Sequence, residues 1–354
     1  MLDSNSVLEI LRPVQDPELG KSLVELNMIR NVKIDNGDVS FTLVLTTPAC
    51  PLREFIVEDC QKAVKQLPGV NKVVVDVTAE TPQQKSIPNR TGINGVKNIL
   101  AISSGKGGVG KTTVAVNVAV ALAQMGAKVG LIDADIYGPN TPTMLGLGNA
   151  KVMVQKGESG EVLEPSFNHG VKLVSMGFLI DPDQPVIWRG PMLNGIIRQF
   201  LYQVEWGELD YLLVDMPPGT GDAQLTLTQA VPMAGAVIVT TPQTVALLDS
   251  RRGLKMFQQL GVEVLGIVEN MSYFIPPDAP EKQYDLFGSG GGEKTSKELD
   301  IPLLGCIPLE IALREGGDAG IPIVVAAPES ASAKALVAIA QAIAAKVSIV
   351  ALRS

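Results

Sequence analysis

The chain has 354 residues, 46% of them hydrophobic and 19% charged, the composition of a globular protein long enough for about two domains. Its net charge of −8, from 37 acidic and 29 basic side chains, argues against a broad nucleic-acid-binding surface. Three scattered cysteines argue against a disulfide framework. The opening residues lack a basic signal-peptide region, and no uninterrupted apolar run nears the ~18 residues of a membrane span. The expectation is a protein of the reducing cytoplasm that engages neither membrane nor nucleic acid.

A predicted opening helix leads to Asp16-Pro-Glu18. Strands are predicted over residues 28–34 and 39–45, joined across Asn36-Gly37, a strong hairpin signal. A helix over 51–67 and a strand over 72–77 complete a small α+β domain, residues 1–80. In that helix Cys60 shares a face with Leu52, Ile56, Ala63, Val64 and Leu67, so it is expected in the core. Cys50 directly precedes Pro51, a favoured first helical residue. A sulfur near a helix N-terminus has a lowered pKa and suits metal ligation or exchange, which makes Cys50 a candidate iron ligand. Residues 81–95 hold two prolines, two glycines and little apolar content, and read as a linker.

Beyond the linker, apolar runs at 99–102, 129–132, 211–214, 236–240 and 264–268 alternate with helical stretches. This alternation predicts a doubly wound α/β domain with a mostly parallel sheet, spanning 96–346. Its last helix, 332–346, is alanine-rich, and a tail follows over 347–354.

Directly after the first of those strands, Gly105-Lys-Gly-Gly-Val-Gly-Lys-Thr112 matches the phosphate-loop pattern G-x-x-x-x-G-K-[ST]. Gly105, Gly107, Gly108 and Gly110 let backbone N–H groups converge on phosphate oxygens, with Val109 and Thr113 completing the cradle. Lys111 is placed to neutralise the β- and γ-phosphates of ATP, and the Thr112 hydroxyl to ligate Mg²⁺. Magnesium also needs carboxylates at neighbouring strand ends, and Asp133, Asp135 and Asp215 stand there.

Lys106, in the pattern K-G-G-x-G-K-[ST]-T, resembles the signature of the deviant phosphate-loop ATPases, the group of MinD, ParA and the nitrogenase iron protein. Within that group Trp206–Asp222, with Asp-Met-Pro-Pro-Gly-Thr-Gly-Asp at its end, is similar to the Mrp/ApbC iron–sulfur cluster carriers. Asp133-Ala-Asp-Ile-Tyr-Gly-Pro-Asn140, Trp188-Arg-Gly-Pro-Met192 and Arg314-Glu-Gly-Gly-Asp318 support the same resemblance. The first 80 residues resemble the small iron–sulfur assembly domain of the SufT kind, through Asp16-Pro-Glu18 and Thr46-Thr-Pro-Ala-Cys-Pro-Leu52.

The resemblance implies an ATP-hydrolysing carrier that delivers iron–sulfur clusters to apoproteins, works with assembly factors, and acts as a homodimer. Lys106 would reach across the dimer to the partner's phosphates. Asp135 would position the attacking water, Asp133 and Asp215 would hold magnesium or its waters, the Gly219 backbone would sense the γ-phosphate, and Asn270 would read adenine. One departure stands out. Relatives carry Cys-x-x-Cys shortly after Glu-Asn-Met-Ser, whereas Pro276 and Ala279 occupy those positions here. Cluster binding is therefore open, and two other readings remain: a positioning ATPase of the MinD or ParA kind, and a nucleotide-gated scaffold that carries no cluster itself.

Overall fold

The computed structural model describes residues 2–353 other than 85, 89, 137, 152, 158–159, 180–189 and 280. They form two compact units, Met1–Pro82 together with Ala344–Ser354, and Gln83–Ile343.

The smaller unit contains α1 (Ser4–Leu11), β1 (Ile29–Asp35), β2 (Asp38–Leu45), α2 (Arg53–Val64) and β3 (Lys72–Ala79). Asn36 and Gly37 join β1 to β2 with φ values of 49° and 88°, the double left-handed turn that their side chains tolerate best. Helix α2 then crosses over so that β3 runs parallel to β2. Alternate residues Val39, Phe41, Leu43 and Leu45 face a core shared with Val7, Leu11, Ile56 and Val64. Cys60 is fully buried there, as its helical face requires.

The larger unit is an α/β layer fold. Its elements are β4 (Val96–Ser104), α3 (Lys111–Gln124), β5 (Val129–Asp133), α4 (Thr141–Met144), the hairpin β6 (Met153–Gly157) and β7 (Gly160–Glu164), β8 (Ser166–Asn168), β9 (Val171–Ser175) and α5 (Gly190–Tyr202). There follow β10 (Leu209–Asp215), α6 (Asp222–Ala230), β11 (Met233–Thr240), α7 (Thr244–Gln259), β12 (Val264–Phe274), α8 (Gly291–Leu299), β13 (Leu303–Leu309), α9 (Ile311–Ala319), α10 (Ile323–Ala326) and α11 (Ala331–Arg353). The eight-stranded sheet has the order β8-β9-β5-β10-β4-β11-β12-β13. Only the β8–β9 pair is antiparallel. The chain leaves β4 at the sheet centre, flanked by β10 and β11, so the loop after β4 opens at a point where the winding reverses. Helix α3 is buried from Val114 through Leu122, which fits its nearly continuous Val and Ala.

Two sequence expectations need correction. Residues 83–95 are a strap on the larger unit, not a loose linker. Gln84 Nε2 donates to the Met233 carbonyl at 2.7 Å, Arg90 to the Leu260 carbonyl, and Thr91 N–H to the Ala230 carbonyl, while Ile93 is buried in the core. Proline and glycine content could not reveal this, because the strap is held by its amides and one guanidinium meeting carbonyls at element ends.

The second correction concerns the tail. Helix α11 continues through 347–353, and its last turns belong to the smaller unit. Buried Ile343, Ala344, Val347 and Ser348 recur at helical spacing, and Ser348 Oγ donates to the Thr46 carbonyl at 3.3 Å. The 23 residues of α11 are long and apolar enough to cross a membrane by length and composition. Serine, lysine and glutamine interrupt the run, so counting unbroken apolar residues overlooks it. Here Leu336, Ile339, Ala340, Ile343 and Val347 are buried against protein.

Candidate nucleotide site

The phosphate loop connects β4 to α3. Gly110 caps α3 at φ 81°, and a Cβ there would lie 2.1 Å from Asn270 Nδ2. A Cβ on Gly105 would lie 2.2 Å from the backbone of Asp249. Both positions therefore need glycine, one for conformation and contact, the other for contact alone. Asn270, within β12, donates from Nδ2 to the Val109 carbonyl at 2.9 Å and so braces the loop from the side. Its Oδ1 is buried with no hydrogen-bond partner among the described residues.

Lys111 begins α3 and turns back over the strand ends. Its Nζ lies 2.6 Å from Asp215 Oδ1 and 3.4 Å from Asp135 Oδ2. Thr112 Oγ1 donates to Asp215 Oδ2 at 2.7 Å. Burial works to lower the Lys111 pKa, but Asp215 and Asp135 outweigh it and the net shift is upward. Asp215 moves up because burial exceeds the help it receives from Lys111 and Thr112.

Asp133 differs from the metal-holding role expected of it. Its Oδ1 accepts the Asp135 N–H at 3.1 Å, and its Oδ2 accepts Ser175 Oγ at 2.8 Å and the Thr141 N–H at 3.3 Å. Both oxygens face protein donors, so Asp133 shapes the 133–141 loop from behind. Full burial, then the charge of Asp215, push its carboxyl up to about 7. Asp135 remains at the cavity wall.

Gly219, at φ 90°, donates its N–H to the Ser104 carbonyl at 3.0 Å, and Ser104 Oγ donates to the Lys106 carbonyl. The Gly219 loop and the phosphate loop are thus tied at the end of β4. Lys106 is partly exposed, lines the cavity and makes no ion pair among the described residues. The cavity over residues 106–113 measures about 390 Å³ and includes Gly107, Gly108 and Thr113 in its wall. A second cavity of about 540 Å³ shares Thr113, Asn140 and Met144 with it and continues to Asn270, Leu313 and Asp318. A phosphate cradle and a roomier, more apolar pocket therefore adjoin.

The α4 and α9 walls of that second pocket escaped the residue-by-residue reading. The signal was present in Gly316-Gly317. A Cβ on Gly316 would meet the Ile321 carbonyl at 2.6 Å, and one on Gly317 would meet Met144 Cε at 3.1 Å. Gly317 lets α9 close on α4, and Gly316 lets the chain turn back at Ile321. Tyr137, Trp188 and Arg189, parts of two motifs noted above, lie outside the described residues.

The cysteines form no cluster. Cys50 lies ahead of α2, which starts at Arg53 with Leu52 as its cap. Burial raises its thiol to about 11; the Leu52 amide opposes this, and Glu18 and Asp16 add to it. The expected thiolate is thus reversed, because burial, and after it the charges of two acids distant in sequence, disfavour ionisation. Cys306 is half-buried, with Sγ 3.9 Å from Glu269 Oε1, and burial raises its pKa too. At Pro276 and Ala279 the Ala279 N–H donates to the Pro276 carbonyl in a turn closed by paired Phe274 and Tyr284. Among the described residues no group of three or more His, Cys, Asp or Glu is placed to hold a metal.

Comparison with known proteins agrees with this geometry. The family described as NUBPL iron-transfer P-loop NTPase matches residues 95–344, and the iron–sulfur cluster assembly protein family matches residues 5–77. The iron–sulfur cluster carrier protein of Synechocystis is 81% identical over 352 residues, 99% of this chain and 100% of its own length. A nucleotide-binding protein of Archaeoglobus fulgidus, solved in complex with ADP, is 39% identical with a TM-score of 0.58, over 67% of this chain and 91% of its own. The cell division ATPase MinD of Pyrococcus furiosus is 27% identical with a TM-score of 0.51, over 70% of this chain and 98% of its own.

Proposed function

The chain belongs to the NUBPL-type iron-transfer P-loop NTPases and carries an iron–sulfur assembly domain at its N-terminal end, and from that premise we propose that it hydrolyses ATP in the service of carrying iron–sulfur clusters to apoproteins. One observation supports the ATPase part above the others. Lys111 reaches both Asp215 and Asp135, Thr112 donates to Asp215, and Lys111, Thr112 and Asp135 line a glycine-built cavity.

The residues fit ATP and magnesium. Thr112 and Asp215 are hard oxygen donors of the kind magnesium takes, and magnesium bound there would neutralise charge on the phosphates. To meet those phosphates Lys111 gives up Asp215, and the backbone of 105–113 supplies N–H donors. Asp135 orients the attacking water at the cavity wall. Asn270 Oδ1, an unpartnered acceptor, takes the adenine amino group. The Gly219 N–H turns from Ser104 to the γ-phosphate, and Lys106 acts on the phosphates of a second copy in a homodimer.

The cluster is cargo in this scheme. We place the work in the cytoplasm, where the three free thiols stay reduced. Cys50 is the proposed iron contact of the smaller unit. A thiol with a pKa of about 11 gives up its proton reluctantly, so attachment there would be weak and easily reversed, which suits delivery. Anaerobic reconstitution of the full chain with iron and sulfide, followed by iron counting, should show less retained iron in Cys50→Ser. Equal retention would remove Cys50 from the scheme, and absence of ATP turnover in the wild type would remove the ATPase.

A further inference from the structure

Between the end of β10 and the start of α6 the chain reads Met216-Pro-Pro-Gly-Thr-Gly221. Met216 N–H donates to the Ile102 carbonyl and Gly219 N–H to the Ser104 carbonyl, both at 3.0 Å. The two prolines between these amides have no N–H, so Pro217 and Pro218 themselves can donate nothing to β4. A side chain holds this stretch instead. Gln224, in the first turn of α6, donates from Nε2 to the buried Pro217 carbonyl at 2.5 Å and lies 3.3 Å from Ser103 Oγ.

Gln224 is fully buried, and its Oε1 has no hydrogen-bond partner among the described residues. A leucine or methionine would fill this volume but leave the buried Pro217 carbonyl without its donor, so packing alone does not account for an amide here. From this arrangement we propose that Gln224 is the positioning residue of the phosphate-sensing loop. It fixes the loop's root at Pro217, so that exchange of the Gly219 N–H from Ser104 to a γ-phosphate oxygen becomes a rotation about an anchored point. The open Oε1 offers the displaced loop an acceptor inside the protein. This role rests on the ATPase reading above.

The test uses the full chain with Gln224→Leu and Gln224→Glu. Gln224→Leu should bind ADP as the wild type does, lose its preference for a non-hydrolysable ATP analogue over ADP, and show kcat lowered about tenfold or more. Gln224→Glu carries an isosteric acid that can donate to Pro217 only while protonated. Its kcat relative to wild type should therefore be highest at the lowest pH and fall as the acid ionises. A purely structural residue would instead weaken ADP binding and turnover together, with no recovery at low pH. Should Gln224→Leu fail to fold, the pH profile of Gln224→Glu decides. Wild-type kcat and nucleotide preference in both variants overturn the role of Gln224 alone, whereas a wild type that binds no nucleotide overturns the ATPase reading and this inference with it.

Discussion

Lys111 Nζ rests 2.6 Å from one oxygen of Asp215, and the neighbouring Thr112 hydroxyl donates to the other oxygen at 2.7 Å. The two side chains expected to receive phosphate and metal are thus satisfied by the same buried acid. Binding at this site is an exchange of partners, in which each incoming group must replace a charged hydrogen bond already made. Such exchanges favour ligands that present phosphate and magnesium together, because either alone would leave Asp215 or Lys111 buried without a counter-charge.

Removing the lysine should therefore affect folding as well as binding. Lys111→Ala is expected to abolish nucleotide binding and, without nucleotide, to lower stability by about 3–5 kcal/mol near neutral pH, since a buried charge is left unpaired. The loss should shrink as pH falls and the acids take up protons. Denaturant unfolding at two pH values, with fluorescent-nucleotide titration, checks both parts. A stable variant with undiminished binding would contradict the site.

Asp133 gives a pH dependence of definite sign. Its carboxyl is raised to about 7, above an unfolded value of about 3.9, so the folded protein keeps the proton longer than the unfolded chain. Its contribution to stability therefore falls as pH rises between those two values and levels off above the upper one. Subtracting the profile of Asp133→Asn from that of the wild type should isolate this downward slope. A flat difference would mean that Asp133 is ionised throughout.

Much of this site is readable from sequence, because the phosphate loop is contiguous and each of its residues has a local reason. The strand ends are readable too: Asp133, Asp135 and Asp215 follow short apolar runs in a chain whose alternation with helical stretches favours buried strands. Partnership across the sequence is not readable. Nothing near Asp133 announces Ser175 as the donor that occupies its oxygen. Nothing near Cys50 announces Glu18, more than thirty residues earlier, as the charge that opposes its ionisation. The strap at 83–95 was misjudged for a related reason: composition describes freedom in isolation, and its restraint comes from the carbonyls of Ala230, Met233 and Leu260.

Lys106 offers a test of assembly. Lys106→Ala should bind ATP near wild-type strength, since Lys111 and the backbone remain, yet lose ATP-dependent dimer strengthening and turnover. Asp135→Asn should likewise bind and turn over slowly. Mixed dimers of the two variants should regain part of the activity at one composite site, read by steady-state phosphate release. No recovery in dimers shown to be mixed would place Lys106 in its own subunit's reaction.

Cys50 should alkylate slowly at neutral pH, and its rate should still climb above pH 9, because the thiol is held near 11. Glu18→Gln removes a negative charge beside it and should speed the reaction at every pH below that value. Mass-spectrometric rates for Cys50 give the answer directly. Full reactivity at pH 7 would restore the thiolate expected from sequence.

The ends of the chain meet in one unit, with consequences for synthesis. Residues 1–82 are translated well before the buried face supplied by Val347 and Ser348. At roughly 5–20 residues per second, the intervening polypeptide occupies the ribosome for on the order of tens of seconds. Throughout that interval the smaller unit lacks the Ser348 hydroxyl on the Thr46 carbonyl. The smaller unit is therefore completed by a segment translated after the phosphate loop and every strand of the larger unit's sheet.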